Sequence, residues 1–275
     1  MNRSETPKSQ VYQFEHPIWK VIPDPATSAL VIETRNPDTQ DLRAFVLIPD
    51  QLSLISISLS DSWWHSLTEV YQGIALWQRI EDQGLPMMKG LSAYEMDQGT
   101  LAWQLPDHRL LRLGPEVAIV ANDLEPQLLA LVDWQHGNIR DTIDAAELPK
   151  DVLDRFDQYR HRGQSFPQAI LPEDEAWLSY SKACEQAGIS LAKGPISVFA
   201  QGAYSIIHAY NGQDASLQAW LLVLQGDQAI FPPIQCGIYE KGFTLDPFFV
   251  MVDTIVWLEP PHGLGRLLLP GLSLA

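Results

Sequence analysis

Two stretches of this chain repeat one local pattern, and that pattern leaves few folds open to it. In residues 90–103 an alternating apolar segment runs into a turn at Asp97, Gln98 and Gly99 and then into a second alternating segment. Residues 128–140 read the same way around Gly137. Superposed on the turn glycines, the copies align Leu91 with Leu129, Ala93 with Leu131 and Leu101 with Ile139, at an offset of 38 residues. Alternation on both sides of a glycine turn predicts an antiparallel hairpin. A hairpin recurring at such an interval predicts an array in which one small unit stacks on the next.

The rest of the chain follows the same rhythm. Residues 11–22 read as an entering strand, and strands are predicted over 28–34, 42–48 and 52–59 with turns at Asn36-Pro37-Asp38 and Pro49-Asp50. The apolar spacing of Trp63, Trp64, Leu67, Val70 and Tyr71, ahead of Gly73, predicts a short helix. Residues 74–80 follow as a strand and 81–88 as a loop, and 109–113 and 117–121 read as further strands. From about 144 to 194 the period shifts to 3.6, which predicts a helical insertion. Its first helix opens at Lys150 and carries Val152, Leu153, Phe156 and Tyr159. Its second starts at Pro172, has Glu173, Asp174 and Glu175 in the first turn, and ends at Gly188. Strands resume at 196–200 and 203–210, and Asn211-Gly212 is the strongest short hairpin signal in the sequence. Further strands are predicted at 216–224, 228–231, 236–240, 248–253, 254–259 and 264–269.

With Ala93, Gly99 and Trp103 in one copy and Asp133 and Gly137 in the other, the pair resembles the blade repeat of the quinoprotein-type β-propellers. The match departs from that family at Glu95 in place of aspartate, Leu131 in place of alanine and Asp141 in place of tryptophan. The resemblance implies a fold and no activity, and the family's cofactor is not carried over. The expected fold is mainly β, a β-propeller-like array of antiparallel meanders forming one domain over residues 1–275, interrupted by the helical insertion at about 144–194. At roughly 40–45 residues per blade the remaining chain accommodates about five blades. The entering strand near Trp19 is expected to complete the last of them.

Composition narrows the partners. Eighteen basic and thirty-four acidic residues give a formal net charge of −16, a surface that repels phosphate backbones and anionic headgroups. Neither nucleic acid nor membrane is an expected partner, and solubility or a cationic partner accounts for the acidity. The polar first ten residues lack the apolar core of a signal peptide, no run reaches a membrane span, and a cytoplasmic location is expected. Cys184 and Cys236 stand in no metal or redox spacing and read as ordinary thiols.

No phosphate-cradling loop, nucleophile elbow or zinc-protease helix is present. The seven histidines, His16, His65, His108, His136, His161, His208 and His262, never fall three or four residues apart and read as surface or capping groups. Glu95, Asp97, Asp123 and Asp133 lie in or beside the hairpins, where turn chemistry accounts for them. Neither a metal nor a cofactor is expected. Aromatic residues are the suggestive class: Trp134 and His136 at a turn tip, with Trp63 and Trp64, are the candidate contact residues for a protein or peptide. Two functions fit such a chain. The first is a non-catalytic binding or scaffold protein acting through its loops, and the second an enzyme whose site at a central channel is assembled from several blades.

Overall fold

In a computed structural model, which describes residues 9–48, 53–57, 62–82, 86–114, 116–148, 164–192, 194–213, 216–240, 247–251 and 253–269, the alternating segments are strands. They form five antiparallel sheets among the described residues, a mainly β, propeller-like succession of meanders. The chain divides into two units, His16–Arg162 and a second made of Met1–Glu15 with Gly163–Ala275. The first strand, β1 (Ser9–Gln13), belongs to the second unit.

In the unit His16–Arg162 three four-stranded meanders follow in chain order. The first is β2 (Ile18–Pro23), β3 (Leu30–Asn36), β4 (Asp41–Ile48) and β5 (Ser53–Ile57). The second is β6 (His65–Tyr71), β7 (Ile74–Asp82), β8 (Pro86–Glu95) and β9 (Thr100–Leu105). The third is β10 (His108–Leu113), β11 (Ala118–Asn122), β12 (Leu128–Asp133) and β13 (Asn138–Asp144). The second strand of each meander is buried on successive residues, 30–35 in β3, 74–78 in β7 and 118–121 in β11, so both of its faces are covered and the sheets stack. Val31, Ala44 and Val46 of the first pack on Leu67, Val70, Ala75 and Trp77 of the second. Leu76, Leu91 and Ala93 of the second pack on Ala118, Val120, Ala130 and Val132 of the third.

The repeated copies are the β8–β9 and β12–β13 hairpins. Gly99 and Gly137 take φ of 67° and 73°, and their amides donate to the carbonyls of Glu95 and Asp133 at 2.8 and 2.7 Å. Each hairpin has a bulge in its outer strand, at Ala102 and at Arg140. The copies also touch. Trp103 Nε1 donates to the Trp134 carbonyl at 2.9 Å, and a Cβ on Gly137 would lie 2.7 Å from the Trp103 ring.

Residues predicted as a helix after Ser62 are instead a 3₁₀ turn, Ser62–Trp64, followed by strand β6. A bulge at Thr68 shifts the ladder between Leu67 and Glu69, so Leu67 and Val70, three residues apart, face the same way. A bulged strand therefore mimics helical spacing. The predicted 81–88 loop is shorter, because β7 runs to Asp82 and β8 starts at Pro86.

The second unit holds β14 (Gln164–Ser165), β15 (Gln168–Ile170), helix α1 (Glu175–Gln186), β16 (Ile196–Gln201), β17 (Tyr204–Gln213), β18 (Ser216–Gln225), β19 (Gln228–Ala229), β20 (Ile234–Tyr239), β21 (Phe248–Met251), β22 (Thr254–Glu259) and β23 (Gly263–Leu268). One sheet runs β15-β16-β17-β18, with β19 and β20 both on the far side of β18. The other runs β1-β23-β22-β21-β14. They meet through Ile206, Tyr210, Leu221 and Val223 against Phe248, Val250, Ile255 and Trp257. The opposite face of the β16–β18 sheet, Val198, Ile207, Ala209 and Leu222, is covered by α1 through Cys184.

Four expectations change here. The entering strand of residues 11–22 is two strands, and β1, not the segment near Trp19, completes the last sheet by pairing Ser9 to Gln13 with Leu267 to Gly263. Pro17 sits between them and supplies only a carbonyl, to Arg35. In the insertion α1 starts at Glu175 with Asp174 as N-cap, three residues later than predicted, and Gly188 at φ 85° ends it. Residues 164–165 and 168–170 are strands, and the helix predicted from Lys150 lies outside the described residues. Asn211 and Gly212 pair with Gln218 and Leu217 inside the β17–β18 ladder, so the reversal falls beyond Gln213, which pairs with Ser216. Among the described residues no helix is long and apolar enough to cross a membrane.

Candidate functional site

The aromatic residues singled out by sequence do not come together. Trp134 is only 2% exposed: its ring meets Tyr71 edge-on at 4.9 Å and packs with Ile74 and Ala93, so the turn that carries it folds the indole inward. It offers no contact face. His136 is exposed in the same turn, with Nδ1 3.2 Å from Asp133 Oδ2. Asp133 also accepts from Arg140 at 2.9 Å and from the amides of Gln135 and His136. The Arg140 hydrogen bond in particular holds the Asp133 carboxyl down at about 2. Trp63 and Trp64 are half-buried at the opposite end of the strands.

There Arg35 joins the first two sheets. Its Nε donates to Glu33 at 2.5 Å and its Nη1 to the Trp63 carbonyl at 3.1 Å, its Nη2 reaches the His65 carbonyl, and Glu33 accepts from the Leu67 amide at 2.9 Å. The guanidinium lies 5.5 Å from the Trp19 ring centroid and 5.3 Å from that of Trp63. Burying this ion pair is sustained by the extra bonds and the two aromatic faces. Trp63 is thus engaged in joining sheets, while Trp19 remains 66% exposed.

A concave feature of this unit lies at the other end, between the first two sheets. A cleft of about 450 Å³ is lined by Thr27, Ala29, Ile48, Gln72, Gly73, Ile74, Glu95, Met96, Asp97 and Gln98. Ala29 and Met96 are buried and make an apolar floor with half-buried Ile48, while Thr27, Gln72, Asp97 and Gln98 are exposed around it. Asp24 fixes one wall. Fully buried, its carboxylate accepts from the Gln72 amide at 2.9 Å and the Gly73 amide at 2.7 Å, and from Ala26 N and Thr27 Oγ1. That carboxylate ties the β2–β3 loop to the β6–β7 turn. Gln135 Nε2 reaches Gln72 Oε1 at 3.3 Å and adds the third sheet's turn beside the rim.

Turn chemistry accounts for Asp133, which bonds its own turn, but not for Glu95 and Asp97. Among the described residues neither of those side chains forms a hydrogen bond or ion pair, and the β8–β9 turn is closed by backbone alone. Asp123 sits elsewhere, 3.7 Å from Arg109 Nε. Thr27, Ile48, Gln72, Met96 and Gln98 carried no chemical signal in sequence, since they become a site only when two sheets stack.

The strongly displaced protonation equilibria other than that of Asp133 belong to packed layers of the second unit. Burial pushes Cys184 up to about 12 and Cys236 higher still, and burial lowers His208 to about 3. His208 is wholly buried, with neither ring nitrogen hydrogen-bonded among the described residues, so it is a core residue and not the surface or capping group expected.

A family model described as a domain of unknown function, DUF4905, matches residues 23–103. Asp24 and every residue lining the cleft fall inside that segment. No curated protein matches the chain. Solved structures similar to it include BamB from Moraxella catarrhalis, at 10% identity and a TM-score of 0.36 over 94% of this chain and 85% of that one. A chain of the mitotic checkpoint complex is similar at 6% identity and a TM-score of 0.26, covering 96% and 92%. The Pan2 WD40 domain of Neurospora crassa is similar at 10% identity and a TM-score of 0.28, covering 93% and 90%.

Proposed function

We propose that this chain is a non-catalytic binding or scaffold protein that takes a protein or peptide partner at the cleft between its first two sheets. One observation supports the reading above others: an apolar floor ringed by exposed polar side chains, in a cleft of about 450 Å³, is the composition by which ligand sites combine affinity with orientation. The walls are turns held by a buried carboxylate and by stacked strands, so the site is formed before a partner arrives and ordering it costs little on binding. A cytoplasmic setting is part of the proposal, supported by two free thiols.

A photo-crosslinking residue at Gln98, on the rim, tests the proposal against one at Asp38, in the exposed β3–β4 turn at the other end of the strands. In cell extract a discrete adduct is expected from position 98 and not from 38. Adducts of equal yield at both positions, or at neither, would remove the cleft from consideration as the binding surface.

A further inference from the structure

We infer that β1 is a docking edge for a second copy of this chain, the two β1 strands pairing antiparallel about a two-fold axis at Val11. This contact is separate from the cleft and does not depend on it. A sheet edge presents a row of unpaired N–H and C=O groups, and native chains blunt such rows with bulges, charges or very short strands. Among the described residues the edges of the five sheets follow that rule with two exceptions. The edge strands β2, β6, β9, β10, β13 and β20 each carry a bulge. On β13 the Thr142 amide is also taken by the Asp141 side chain at 2.8 Å. The edge strands β14, β15 and β19 are only two, three and two residues long. That leaves β1 and β5, whose ladders run straight over five residues and whose sequences hold no charged residue.

The register of β1 makes its free side self-complementary. The Phe14 amide donates to the His262 carbonyl, so the bonded pairs with β23 are Tyr12 with Leu264 and Gln10 with Arg266. The N–H and C=O groups of Ser9, Val11 and Gln13 therefore point away from β23, and among the described residues no hydrogen bond takes them. These three positions are symmetric about Val11. In an antiparallel pair centred there, Val11 faces Val11 of the second copy and Ser9 faces its Gln13, which closes about six backbone bonds. Val11, 46% exposed, then meets an identical apolar side chain across the axis. Charge selects β1 over β5. The nearest charged residues in sequence are Lys8 before β1 and Glu15 after it, so two antiparallel copies set a basic flank beside an acidic one at each end. Around β5 they are Asp50 and Asp61, and the same arrangement would set acid beside acid. Two chains of net charge −16 repel, and an edge without charge is where close approach costs least.

The test uses the full chain in sedimentation equilibrium from about 5 to about 500 µM, where a short edge contact is expected to give a dimer with a dissociation constant of about 10–100 µM. Two variants probe the edge. Val11→Pro removes an outward N–H and no bond to β23, a setting in which an edge strand tolerates proline, and Val11→Lys keeps the backbone and sets like charges across the axis. Each is expected to weaken the dimer at least about tenfold, with the Val11→Thr control within about twofold. Should the proline variant lose its fold in calorimetry, the lysine variant carries the test alone. Amide exchange locates the contact: Val11 and Gln13 should exchange more slowly at the high concentration, and Gln10 and Tyr12 should be protected at both. A monomer throughout the range, a dimer as strong in Val11→Lys as in the natural chain, or exchange at Val11 independent of concentration overturns the inference. Growth beyond the dimer also overturns it, since pairing β1 with β5 of the next copy would be head-to-tail and open-ended.

Discussion

His208 shows how one residue can be invisible in sequence and decisive in the fold. Seven histidines without metal spacing gave no reason to single it out, yet the β17 register turns its ring into the interface with the other sheet. There it meets Tyr210 edge-on at 4.9 Å and Phe248 at 6.4 Å. Among the described residues nothing accepts from its ring or donates to it, and burial holds its pKa at about 3, below the ordinary 6.5. Because the folded value is depressed, the unfolded chain takes up the proton first. Stability contributed by neutral His208 is complete above about pH 6.5 and is lost as pH falls toward 3, by up to about 1.4 kcal/mol per unit. Urea denaturation between pH 6.5 and 4.5 should show that slope in the natural chain and a much flatter profile in His208→Leu. Parallel profiles for the two proteins would contradict it. The window avoids Asp41 and Asp133, whose lowered values move their own losses to more acidic pH.

At the scale of elements, hairpins are local objects and were readable as such. The turns around Gly99 and Gly137 combine alternation with a residue at positive φ, both properties of a few consecutive residues. Where reading failed, the cause was a ladder irregularity or a distant partner. Thr68 bulges, and a strand takes on helix-like spacing. Asn211-Gly212 has the composition of a tight turn, but the ladder runs on through both residues to Gln213. The last sheet is the sharpest case, because it takes β1 from the opposite end of the chain. Phe14, only 7% exposed, follows β1 and donates its amide to the His262 carbonyl. Removing residues 1–15 should therefore unpair β23, expose its edge and lower the thermal midpoint by roughly 4–8 °C or more, since each 1 kcal/mol lost is worth at least about 2 °C in a domain this large. A midpoint unchanged in calorimetry would show that β1 pairing contributes nothing to stability.

For the whole molecule the acidic balance acts at every site at once. A net charge of −16 repels itself in the folded state more than in the expanded one. Raising sodium chloride from about 10 to about 200 mM shortens the Debye length from roughly 30 to under 10 Å, so the thermal midpoint at pH 7 should rise by a few degrees. A flat or falling midpoint would mean that paired charges such as Arg35–Glu33 and Arg140–Asp133 outweigh the excess. By itself the sequence determined the meanders, their order and their approximate number, because period-2 alternation and turn conformations depend on residues adjacent in the chain. Only the tertiary structure decided that Trp134 is buried, that Asp24 bonds amides 48 and 49 residues away, and that Glu95 and Asp97 border a cleft. Those outcomes depend on which faces of neighbouring sheets meet, and stacking is set by packing and bulges that no local pattern records.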